Sequence, residues 1–212
     1  MEKLSFTLEF FMCSGSKKPG PDHTLLILGG IVELLNLGYI NRTEKDTLVP
    51  AKPWDNTLPY LKPLYDKISE AKKPHSAAQI VESFSGKQIA KLISEYKAVL
   101  LESDYADEVP NKRLKKKNTF IPKPHSIKEI VAIVREEMLS DAEMSHDVIL
   151  LVTLLDASGQ IGDYFSKFEK NDIKKRLKEV RENEAGALIR EVLTYFSNVA
   201  VTTTLTVIST SS

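Results

Sequence analysis

The sequence predicts a mainly α protein: a single compact helical domain over residues 1–212 with one or two small β-hairpins, one of them winged-helix-like. Three observations carry this. Apolar residues recur at three- and four-residue spacing along most of the chain. Short apolar segments pair across polar turns at two places. No long linker divides the sequence, which favours one core. With 42% hydrophobic residues in 212, the composition is that of an ordinary folded protein, and a chain of this size buries roughly 70% of the surface its unfolded form exposes. The single Cys13 leaves no internal disulfide and fits a reducing compartment. Its 29 basic and 29 acidic side chains balance, which excludes a surface built as a whole for nucleic acid or membrane, so any electrostatic footprint is local.

Leu4–Met12 predicts a helix or strand, followed by a loop over Ser14–Pro21. Asp22 stands where an N-cap belongs, and Leu25, Leu28, Val32 and Leu35 recur at helical spacing up to Gly38. Tyr39-Ile40 and Thr47-Leu48-Val49 read as two short strands, closed by Pro50 and Pro53; Leu58 to Ile68 give the next helix. Lys-Pro-His-Ser occurs twice, at Lys73–Ser76 and Lys123–Ser126, each serine followed three residues on by Gln79 or Glu129. Both repeats therefore read as capping boxes that start helices, with the proline keeping the chain extended before them. Ile80–Phe84 and Ile89–Tyr96 follow as short helices, Ala98–Leu101 is a strand candidate, and Thr119–Ile121 is its return. Ile127–Leu139, His146–Leu155, Tyr164–Phe168, Ile173–Val180 and Ala187–Ile208 complete a helical C-terminal half.

No signal-peptide pattern opens the chain. The apolar stretches Leu25–Leu35 and Val192–Ile208 fall short of a bilayer span and read as buried core helices, which leaves a cytoplasmic protein with no transmembrane segment. No nucleophile elbow, Walker loop, dinucleotide fingerprint or His-Glu-x-x-His pair occurs, so no catalytic residue, metal site or cofactor is expected. Glu33, the lone charge of an apolar helix, reads as one half of a buried ion pair with Lys or Arg rather than a general base.

Charge is concentrated in three places. Lys17 and Lys18 stand in a Ser/Gly loop before the Asp22 helix, a rudimentary phosphate cradle in which Asp22 competes for the same N–H groups. Lys112, Arg113, Lys115, Lys116 and Lys117 form the densest basic run; Glu102, Asp104, Asp107 and Glu108 on the opposing arm offset it and help set strand register. Lys170, Lys174, Lys175, Arg176, Lys178 and Arg181 are interleaved with Asp172, Glu179 and Glu182, the pattern of a solvated helix face.

Four blocks resemble the Golgi phosphoprotein 3 family: Gly30–Ile40, an apolar helix and strand; Asn56–Ile68 with Pro74 and Ile80–Ser85; Ser94–Leu100, which opens a hairpin; and Val148–Val180, with Leu151–Ser158 the closest stretch. The resemblance implies a cytoplasmic adaptor that recognises phosphatidylinositol 4-phosphate through a basic pocket beside an exposed Trp. Carried over position by position, that pocket is depleted. The loop before the apolar helix has no Trp, and Trp54 lies in another block. The helix-start arginine falls on Ile27, and the two arginines one turn apart fall at Phe84 and Lys87, of which only Lys87 keeps a charge.

The resulting expectation is a non-enzymatic binding protein of this family, a peripheral membrane adaptor with a weakened site for anionic phosphoinositide lipid, represented by Lys17, Lys18 and Lys87, and with the hairpin as the contact for a protein partner. The rival is a winged-helix-like nucleic-acid or regulatory module using the basic wing at 112–117; Lys87, Lys91 and Glu95 without arginine argue against nucleic acid.

Overall fold

The computed structural model describes residues 4–15, 21–110, 118–140 and 143–182. Among them are eight α-helices and two antiparallel two-stranded sheets, which makes the protein mainly α with small hairpins. The chain clusters into two units, Phe11–Ile127 and the described parts of 1–10 with 128–212.

The longer contiguous unit opens in the second half of α1 (Phe6–Gly15), a helix that runs through the Ser14 and Gly15 expected in a loop. Asp22 caps α2 (His23–Asn36), accepting from Thr24 N at 2.8 Å and Leu25 N at 3.2 Å. Every residue from Leu25 to Leu34 is buried, the signature of an interior helix. Gly38, at φ +69°, closes it: Gly38 N bonds Leu35 O and Tyr39 N bonds Leu34 O, a Schellman stop that a residue with a Cβ makes at greater cost. The chain then forms β1 (Ile40–Arg42) and β2 (Leu48–Pro50), paired Ile40 to Pro50. A 3₁₀ turn at Pro59–Leu61 leads into α3 (Lys62–Ser69).

The Lys-Pro-His-Ser repeats fold in two different ways. In the first, His75 O accepts from Leu48 N at 2.8 Å, and Ser76 caps α4 (Ala77–Glu82) through a capping box with Gln79. In the second, α6 (Pro124–Leu139) already begins at the proline, which suits the first helical position because its missing N–H is not needed there. Ser126 is thus inside the first turn, 2% exposed, with Oγ buried and unpartnered. The expected second capping box is not formed.

After Ser83–Ser85, α5 (Gly86–Glu102) runs as one helix through the 98–101 segment expected as a strand. A second capping box, Ser85 with Gln88, starts it. The hairpin β3 (Ala106–Pro110) and β4 (Asn118–Pro122) follows, with Ala106 opposite Pro122 and Glu108 opposite Phe120. Alternation puts Ala106, Phe120 and Pro122 on one face, where Phe120 meets the Phe11 ring edge-on at 5.7 Å. Val109 and Ile121 occupy the other face, 42% and 43% exposed. Helix–turn–helix followed by hairpin is the winged arrangement.

In the second unit, Ser145 caps α7 (His146–Ala157), whose residues Val148–Leu155 are all buried. Glu137 Oε2 of α6 accepts from both Ser145 N and Oγ at 2.7 Å, tying the two helices. A 3₁₀ turn at Gln160–Asp163 precedes α8 (Lys167–Glu182). Tyr164–Ser166 thus lie before a helix, not within one as the sequence reading had Tyr164–Phe168. The 187–208 apolar segment lies outside the described residues.

Candidate functional site

The positions that would form the family's lipid pocket separate by burial. Ile27 and Phe84 are 1% and 8% exposed and belong to the core. Lys87 is exposed, at the second helical position of α5, where its charge adds to the positive end of the helix dipole. The N–H groups of Thr24 and Leu25, at the start of α2, are already taken by the Asp22 carboxylate. Lys17 and Lys18 lie outside the described residues, as do Lys112, Arg113, Lys115, Lys116 and Lys117, so of the expected ligand and patch residues the structure places Lys87 alone.

Trp54 is not a free anchor. Its ring packs at 4.9 Å from Tyr39 and 5.0 Å from Tyr65, centroid to centroid. Tyr39 in turn holds the 51–58 loop, donating to Asp55 and contacting Thr57 Oγ1 at 2.8 Å, while Lys52 Nζ stands 3.8 Å from the Tyr39 ring centre. Hydrogen bonds from Thr57 and then Tyr39 lower the Asp55 carboxyl to about 2, and burial with the neighbouring Asp55 raises the Tyr39 hydroxyl. This is a structural clasp, using an Asx-type turn at Asp55-Asn56-Thr57 with Asn56 at φ +63°.

On the hairpin arm, the acidic residues have partners of their own. Lys123 pairs with Asp104 and holds its carboxyl below the usual range, and Glu108 Oε2 accepts from Asn118 Nδ2 at 3.1 Å. Two of the four carboxylates expected to offset the 112–117 run are therefore engaged at the base and middle of the hairpin.

The same unit contains an open cleft of about 540 Å³ lined by Asp66, Lys67, Glu70, His75 and Lys91 among others. Sequence reasoning missed it, because its walls come from α3, the first Lys-Pro-His-Ser turn and α5. Lys67 Nζ is spent partly on Ser83 O at 3.0 Å, and Asp66 takes the Lys62 ammonium at 2.7 Å. Signs are mixed across it, and Lys87 is not part of its lining. Among the described residues no group of three His, Cys, Asp or Glu side chains is arranged to hold a metal ion.

Glu33 is 5% exposed and accepts from the Tyr60 hydroxyl at 2.5 Å. The Tyr60 hydroxyl is thus one partner of the carboxylate for which the sequence suggests a lysine or arginine.

Among the described residues, fold and surface together define a mainly helical protein with small antiparallel hairpins. A family model described as Golgi phosphoprotein 3 (GPP34) matches residues 24–195. The chain belongs to the Golgi phosphoprotein 3 family. Comparison with curated proteins gives no match. No helix among the described residues is long and apolar enough to cross a membrane.

Proposed function

We propose that the chain is a non-enzymatic adaptor of the Golgi phosphoprotein 3 kind, which meets anionic phospholipid surfaces peripherally and reversibly from the cytoplasm, and whose phosphoinositide site is weakened. The observation that carries this is the burial of Ile27 and Phe84 at 1% and 8% beside an exposed Lys87. Selective phosphate recognition draws on forked guanidinium groups that bond two oxygens at once, whereas one lysine supplies a point charge. What is left is charge attraction, which salt screens over about 8 Å at physiological ionic strength. Flotation of the full chain with phosphatidylcholine vesicles carrying either phosphatidylserine or phosphatidylinositol 4-phosphate, at matched surface charge, tests it. Equal binding that fades in high salt supports the reading; no binding to either vesicle contradicts it.

A further inference from the structure

We draw no further inference here: the strongest candidate, the open cleft walled by α3, the first Lys-Pro-His-Ser turn and α5, commits to no occupant, since Asp66 and Glu70 line it together with Lys67 and Lys91 and nothing in the structure selects a ligand of either charge.

Discussion

The Tyr60 hydroxyl donates to Glu33 Oε1 at 2.5 Å, both side chains lying inside the 11–127 unit with 2% and 5% exposure. The bond joins the 3₁₀ turn before α3 to the apolar helix α2. Hydrogen bonds to charged groups contribute about 1.5–3 kcal/mol, and leaving a buried acceptor short of a donor costs more than the bond itself gains. Tyr60→Phe is expected to destabilise the protein by about 2 kcal/mol in chemical denaturation. A loss below a few tenths would show that other partners carry the carboxylate.

The two Lys-Pro-His-Ser turns give a paired test. Ser76→Ala removes a capping bond to Gln79 N and costs about 1 kcal/mol. Ser126→Ala removes a buried, unpartnered hydroxyl, so it is neutral or slightly stabilising. Equal losses in parallel thermal melts would restore the capping role for Ser126.

A third prediction concerns Gly30. A Cβ there would stand 2.8 Å from Leu64 Cδ2 and 3.2 Å from Leu61 Cδ2, and both leucines are 0% exposed. Overpacking a closed core costs about 1–3 kcal/mol, which outweighs the gain of up to about 1 kcal/mol from replacing a helical glycine. Gly30→Ala is expected to lower the melting temperature; a rise would mean that the leucines repack freely.

Acid stability should depend on Glu169. Hydrogen bonds from Arg135 first, then from the Ser166 backbone, lower its carboxyl from 4.5 to about 2. A carboxylate with a depressed folded-state value adds stability above its unfolded value and loses it as the pH falls toward the folded one, here from about pH 5 to about pH 2. Glu169→Gln should therefore flatten the fall in stability across that window and leave the slope at neutral pH unchanged. An unaltered acid limb in pH-dependent melts would contradict the coupling.

Most of this architecture was legible because it rests on local chemistry. Asp22, Ser76 and Gly38 are read correctly at α2 and α4 from residue type and position, and the β1–β2 hairpin follows from two apolar segments around a polar turn. The same Ser-x-x-Gln/Glu signal stands at Ser85–Gln88 and Ser166–Glu169, where it starts α5 and α8. At Ser126 the local signal misleads, since Pro124 fits the first helical turn and the helix starts three residues early. The 98–101 segment, Ala-Val-Leu-Leu, suits a strand or a helix by composition; Leu100, at 0% exposure, continues the inward stripe of Leu92 and Tyr96. The site was less readable. Burial of Ile27 and Phe84, the Trp54 clasp and the α3–α5 cleft depend on long-range packing, as does the stacking of Arg135, from another helix, on Phe165.

The claim that the family's phosphoinositide pocket is not rebuilt here meets its most direct test in calorimetric titration of the full chain with soluble short-chain phosphatidylinositol 4-phosphate, alongside short-chain phosphatidylserine, at low and high salt. The expected result is no saturable, headgroup-selective binding, with any heat shared by both lipids and lost in high salt. Stoichiometric, salt-resistant binding selective for the 4-phosphate and abolished by Lys87→Ala would contradict the account.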